Sequence, residues 1–293
     1  LIELISEMGS VVEKLDSESY RFTAKQINVD YLESDDFKTK AASLRGSIMI
    51  LGPLLARYGK AKIPRPGGDK IGRRRLDTHF LGFEKLGAKF NYSSKDAFYA
   101  IDASNLKGCY MHLDEASVTG TANVLMAAVL ADGETTIYNA ACEPYIQQLC
   151  RMLISMGAKI EGVGSNLLTI HGVKALGGTE HTMLPDMIEV GSFIGLAAMT
   201  QSELTIKGAG VKHLGLIPDV FKRLGIQLEL RGDDIFVPAQ RHYEIETFID
   251  GSIMTVADSP WPGFTRTHVR DNRSGRAVCL FRRPKLSIPL RQP

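Results

Sequence analysis

Residues 66–79 read Pro-Gly-Gly-Asp-Lys-Ile-Gly-Arg-Arg-Arg-Leu-Asp-Thr-His, which puts three glycines and three consecutive arginines in one loop between apolar stretches. Loops held on a rigid scaffold commonly carry binding and catalysis. Glycine opens backbone conformations closed to other residues and lets the chain approach a ligand closely. Arginine supplies a planar, permanently charged fork that matches phosphate or carboxylate oxygens. Together they suit a polyanionic ligand, or equally a solvated basic turn, because charge runs usually face water. Arg45, ahead of the apolar run 47–56, would add a cation where a helix start already favours anions. Taken alone, it reads as a surface arginine. A second polar stretch, 114–123, is Asp-Glu-Ala-Ser-Val-Thr-Gly-Thr-Ala-Asn. It offers hydroxyls and backbone N–H groups at the start of another helix, as a ligand cradle or as a capping box.

The elements that must position these loops come from a chain of 293 residues, 44% of them hydrophobic, enough for one large or two medium domains. No apolar stretch approaches the roughly 20 residues of a membrane span, and residues 1–15 carry acids rather than a signal pattern. We therefore expect a soluble, cytoplasmic protein with no membrane partner. Cys109, Cys142, Cys150 and Cys279 form no CxxC pair and no metal-like spacing with the seven histidines, so reduced thiols and no metal are expected. No HExxH, GxxxxGK[ST] or GxSxG motif appears. The net charge of +2 depends on residues 266–293, which hold eight bases and one acid. The rest of the chain has 27 bases against 32 acids, so the charge gives no reason to expect a nucleic-acid partner.

Four helix-like segments end in related words, LIELISEMGS, FLGFEKLGAK, LCRMLISMGAK and VFKRLGIQ, with Gly9, Gly87, Gly157 and Gly225 spaced 78, 70 and 68 residues apart. A glycine in that place predicts a left-handed helix end. Each word leads into a strand-like stretch and, across a polar turn, a second one. Two of the units follow a further helix and strand, so the repeat reads as βαβαββ. Such units pack around a shared axis, because none buries its helices alone. The residues Met-Leu-Pro-Asp at 183–186 interrupt the pattern, which places a domain boundary between 184 and 185.

Three stretches carry a resemblance: SLRGSIMILGPLLARYGKAKIPRPGGDKIGRRRLDTHFLGFEKLGA, ASVTGTANVLMAAVLADGETTIYNAACEP and MLPDMIEVGSFIGLAA. In that order they resemble signature stretches of the UDP-N-acetylglucosamine enolpyruvyl transferases, and the likeness runs from Leu1 to about Thr265. The resemblance implies an inside-out α/β barrel fold of two domains, each built of three βαβαββ units. It implies transfer of the enolpyruvyl group of phosphoenolpyruvate to the 3-hydroxyl of UDP-N-acetylglucosamine, with release of phosphate and without metal or cofactor. It also implies a monomer acting at the first committed step of peptidoglycan synthesis. By the same resemblance Asp69 stands where the family usually has a cysteine that protonates C3 of phosphoenolpyruvate. Arg74 matches a contact to its phosphate. Arg74, Arg75, Leu76, Asp77 and Thr78 match a segment lining the UDP-sugar, Arg45 matches another contact to it, and Glu115, Ala116, Ser117 and Val118 match a further nucleotide-binding segment. Some members carry lysine at the place of Glu115.

An aspartate is physically able to act as the acid, since burial raises a carboxyl, although neighbouring arginines oppose the rise. Fosfomycin needs a thiolate at this position, so the resemblance implies insensitivity to it. The resemblance also implies a segment with a Lys-Asn pair ahead of Leu1. Arg266 and Thr267 stand where a Pro-Asp pair bearing the family's catalytic aspartate is expected, so we expect a chain that is catalytically incomplete. The expected organisation is a first domain over 1–184, a partial second domain over 185–265, and an aberrant basic tail over 266–293. A shifted or wrongly assembled reading frame best explains that tail, ahead of a genuine basic extension; it lacks the spacing and turns of the repeats and is expected to be unstructured. The alternative function is a non-catalytic UDP-sugar-binding fragment or regulatory paralogue.

Overall fold

The four glycine words close helices in the same way. Gly9, Gly87, Gly157 and Gly225 have φ of 102°, 96°, 105° and 81°, a region glycine enters without the penalty of a Cβ. Each donates its N–H to the carbonyl three residues back, and the next residue donates to the carbonyl five back, as in Gly87 to Glu84 at 2.9 Å and Ala88 to Phe83 at 2.9 Å. This closure satisfies orphan carbonyls at the helix end. The helices are α1 (Ile2–Glu7), α4 (Asp77–Lys85), α6 (Pro144–Ser155) and α8 (Ile217–Arg223). The structure is a computed structural model, and it describes residues 1–68, 75–93, 98–252 and 259–264.

An antiparallel hairpin follows each of these helices: β1 (Val11–Lys14) with β2 (Tyr20–Thr23), and β4 (Lys89–Ser93) with β5 (Phe98–Asp102). The others are β8 (Lys159–Glu161) with β9 (Leu167–His171), and β11 (Glu229–Arg231) with β12 (Asp234–Val237). Ahead of α4 lie α2 (Asp35–Ser43), α3 (Leu51–Tyr58) and β3 (Lys60–Pro64). Ahead of α6 lie β6 (Tyr110–His112), α5 (Val118–Ala128) and β7 (Glu134–Tyr138); ahead of α8 lie α7 (Met187–Thr200) and β10 (Leu204–Ile206). In three sheets the second hairpin strand is central, giving the orders β3-β5-β4, β6-β7-β9-β8 and β10-β12-β11.

Among the described residues the βαβαββ unit is complete once, as β6-α5-β7-α6-β8-β9, with β6 and β7 parallel. In the units of α4 and α8 no opening strand is formed among the described residues. Before α3 the chain forms a 3-10 turn at Val29–Glu33, capped by Asn28, and then α2. The expected single helix over the apolar run that follows Arg45 is likewise a 3-10 segment, Arg45–Ile50, leading into α3.

The described residues fall into two compact units, the first over Leu1–His181 and the second beginning at Thr182. In the first, α5 packs against α3, α4 and α6, with strands of the sheets outside them. This is the helices-in, sheets-out arrangement expected. Close approach needs small residues. A Cβ on Gly52 would lie 2.4 Å from the Asn123 carbonyl oxygen, and one on Gly82 would lie 2.2 Å from a Val124 methyl. The sheets bury alternate residues, as in β7, where Thr135 and Ile137 are enclosed and Glu134 and Tyr138 are exposed. The second unit buries Val190 and Ile194 of α7 with Phe221, Ile235 and Val237. Asp186 caps α7, accepting the Ile188 N–H at 2.8 Å. No helix among the described residues is long and apolar enough to cross a membrane. Residues 266–293 and Thr265 lie outside the described residues, as does Cys279; Cys109, Cys142 and Cys150 are free thiols.

Gly82 sets how close α4 and α5 come. We expect Gly82→Ala to destabilise the protein by about 1–3 kcal/mol in chemical denaturation, and Val124→Ala in the same chain to recover part of the loss. Simple additivity of the two losses would show that the close contact is not what matters.

Candidate functional site

The starts of α4 and α5 and of the 3-10 segment Arg45–Ile50 are joined by side chains. Leu76 and Val118 are half-buried and pack against the first unit's core, which anchors the entry of each helix. Ser117 is the cap of α5, its Oγ accepting the Gly120 N–H at 3.2 Å. The capping role expected as one reading of 114–123 is thus filled, and from Val118 onward this stretch is helix rather than loop. Ala116, half-buried, precedes the cap.

Thr78 Oγ1 donates to Glu115 Oε1 at 3.3 Å. A Cβ on Gly120 would meet the Thr78 methyl at 2.8 Å, so the two helix starts touch. Arg75 Nε donates to Asp77 Oδ2 at 2.8 Å, and an Arg45 Nη donates to the Arg75 carbonyl at 3.3 Å. Gly67 and Gly68 lie against the turn before Arg45. A Cβ on Gly67 would be 2.1 Å from the Ala42 carbonyl oxygen, and Gly68 has φ of 92° with its Cβ position 3.3 Å from the Arg45 backbone. The structure therefore brings together Arg45, Arg75, Asp77, Thr78, Glu115 and Ser117. Asp69 and Arg74 lie outside the described residues.

Asp77 holds the Arg75 guanidinium more firmly charged than usual, first by its hydrogen bond and then by its charge, with Glu115 and Asp114 adding to the field. Both partners of that pair are exposed and screened by solvent, so it adds little to stability. Its effect is orientation: with Nε engaged, the two Nη groups remain to meet an anion.

Beneath this layer sits a polar network around Asn123 and His79. Asn123 Oδ1 accepts the Gly52 N–H at 2.9 Å, and Nδ2 donates to the Ile48 carbonyl at 2.9 Å. These backbone partners fix the orientation of the amide. The same Nδ2 lies 2.9 Å from His79 Nδ1, which must therefore accept, so the imidazole carries its proton on Nε2 and donates it to Thr119 Oγ1 at 3.3 Å. His79 is 2% exposed. Burial, and then the charge of Arg45, pushes it down to about 4. The available signal was a lone asparagine inside the apolar run Ala-Asn-Val-Leu-Met-Ala-Ala. Among the described residues no group of three or more His, Cys, Asp or Glu is placed to hold a metal ion.

The family model described as EPSP synthase (3-phosphoshikimate 1-carboxyvinyltransferase) matches residues 1–267. The chain belongs to the EPSP synthase family. It is 66% identical over 265 residues to a UDP-N-acetylglucosamine 1-carboxyvinyltransferase of Bacteroides thetaiotaomicron, an alignment that takes in 90% of this chain and 61% of that protein. Proteins of the same description from Porphyromonas gingivalis and Treponema denticola are 63% and 45% identical over 90% of this chain and 61% and 60% of theirs. The chain thus spans about 61% of the length of the curated relatives it matches. Among solved structures, the enolpyruvyl transferase NikO from Streptomyces tendae is similar with a TM-score of 0.65 at 20% identity, covering 82% of this chain and 56% of that one. An EPSP synthase from Acinetobacter baumannii gives 0.56 at 18% identity, covering 81% and 55%. These likenesses show the fold.

The His79 network has a pH signature. An unfolded histidine titrates near 6.5 and the folded one near 4, so between these values the unfolded chain binds more protons. The stability the neutral imidazole contributes is complete above about pH 6.5 and is lost as pH falls towards 4, by on the order of 3 kcal/mol. Denaturation midpoints between pH 7 and 4 should show this decline, and His79→Leu should flatten it. An unchanged slope in the variant would assign the decline to other groups.

Proposed function

We propose that this chain is the sugar-nucleotide-facing part of an enolpyruvyl transferase that joins phosphoenolpyruvate to the 3-hydroxyl of UDP-N-acetylglucosamine, releasing phosphate. The observation that carries the reading is the 66% identity over 265 residues to proteins described by that activity. This favours the UDP-sugar branch over the shikimate branch for which the family model is described. The site is compatible with it, since the starts of α4 and α5 are joined through Thr78 and Glu115, and Arg75, just ahead of α4, adds a fixed positive charge that favours anions. On this reading the protein works in the cytoplasm as a monomer, at the entry to peptidoglycan synthesis and thus in the supply of cell wall for shape and division.

In the proposed reaction the sugar 3-hydroxyl gives its proton to a general base as its oxygen bonds to C2 of phosphoenolpyruvate, while C3 takes a proton from Asp69. A C3 proton then returns to a base and the C2–O bond to phosphate breaks, which restores the double bond and releases phosphate. Arg74 would hold the phosphate. Arg45, the run Arg75, Leu76, Asp77 and Thr78, and the run Glu115, Ala116, Ser117 and Val118 would line the UDP-sugar. Carboxylates are poor nucleophiles towards the fosfomycin epoxide, which is the basis for expecting insensitivity.

Calorimetry with UDP-N-acetylglucosamine, paired with a phosphate-release assay in the presence of phosphoenolpyruvate, separates the readings. Binding with release supports the transferase; binding without release supports a non-catalytic UDP-sugar-binding fragment or regulatory paralogue; no binding overturns both. Incubation with fosfomycin should leave the intact mass unchanged. A covalent adduct on Asp69 would overturn the role given to that residue.

A further inference from the structure

The parallel strands β6 and β7 both run on into loops that lead to helices, 113–117 into α5 and 139–143 into α6. In α/β folds, ligands gather outside the carboxyl ends of such strands. Hydrogen bonds tie the two loops together. Leu113 N–H donates to the Tyr138 carbonyl at 3.0 Å, Asn139 Nδ2 donates to the Leu113 carbonyl at 2.8 Å, and Ala141 N–H donates to Thr121 Oγ1 of α5 at 2.9 Å. The first loop holds Glu115 and Ser117 of the candidate site. The second ends in Glu143, the residue that caps the twelve-residue helix α6.

Glu143 is 6% exposed, and its Oε2 has no hydrogen-bond partner among the described residues. The backbone N–H groups of Glu143 and Cys142 serve the carboxyl, yet burial outweighs them and pushes it above the usual carboxylate range. Buried acceptors in native proteins are filled, so an unpartnered one at the end of a loop that is hydrogen-bonded to the loop of Glu115 and Ser117 marks a place for a donor. A carboxylate oxygen rejects phosphate and accepts only N–H, O–H or a cation. Among the described residues no group of three or more His, Cys, Asp or Glu is placed to hold a metal ion there.

We propose that Glu143 is a sugar-binding residue, its Oε2 accepting a hydrogen bond from a hydroxyl or the acetamido N–H of the UDP-N-acetylglucosamine sugar. The inference rests on the reading under Proposed function. Titration calorimetry of the full chain with UDP-N-acetylglucosamine, and separately with UDP, compares wild type with Glu143→Gln. The backbone N–H groups hold the amide oxygen of the variant, so its NH2 group meets the open position and opposes a donor. The expected result is a loss of tenfold or more in affinity for UDP-N-acetylglucosamine with UDP binding unchanged. Equal loss for both ligands would mark a structural role, and no loss for either would mark a position filled by water only; each overturns the inference. A wild-type protein that binds neither ligand overturns the function proposed above, and this inference with it.

Discussion

The side-chain amide of Asn123 is enclosed where α3, α4 and α5 meet, and each of its hydrogen bonds goes to a different element. It takes the N–H of Gly52, gives to the carbonyl of Ile48 at the end of the 3-10 segment, and gives again to His79 of α4. A buried polar group costs stability unless it is satisfied, and a satisfied one admits only one arrangement of its partners. The glycines at 52, 82 and 120 let the backbones come close enough for the amide to reach. Register among the three helices, and with it the placing of the loops above them, follows from this contact.

Charge is arranged above that neutral layer. His79 lies under the influence of Arg45 and is buried, so it stays uncharged, and the network beneath the site adds no positive charge of its own. At the surface, Arg45 and Arg75 stand among Asp77, Asp114 and Glu115. The acids orient the guanidinium of Arg75 rather than merely cancelling it, because a fork held at Nε presents its remaining N–H groups in one direction. Thr78 and Glu115 join the two helix starts across this set. The arrangement thus combines fixed donors with a dry support, the combination that lets charged ligands be held in one geometry.

The repeat was legible because its punctuation is chemical. A left-handed residue at a helix end is open to glycine at little cost, so four related words announced four closures, and all four formed with the same pair of backbone bonds. The hairpins after them were legible from alternation across polar turns. The opening strand β6 was not, since Tyr-Met-His is too short for a period to show, and its place is set by pairing with β7. Ser117 was readable both as cap and as ligand, and the cap is formed.

By itself, the sequence determined the class of fold, the repeat, the family, and the segments in which Arg45, Arg75, Asp77, Thr78, Glu115 and Ser117 lie, because these depend on local conformation and residue type. Only the tertiary structure decided which of those side chains meet. It also joined Asn123 and His79 beneath the helix starts and left Glu143 Oε2 buried without a hydrogen-bond partner among the described residues. The physical reason is distance along the chain: Asn123 lies 71 residues from Gly52 and 44 from His79. Nothing local at any of these positions records the partner that burial forces upon it.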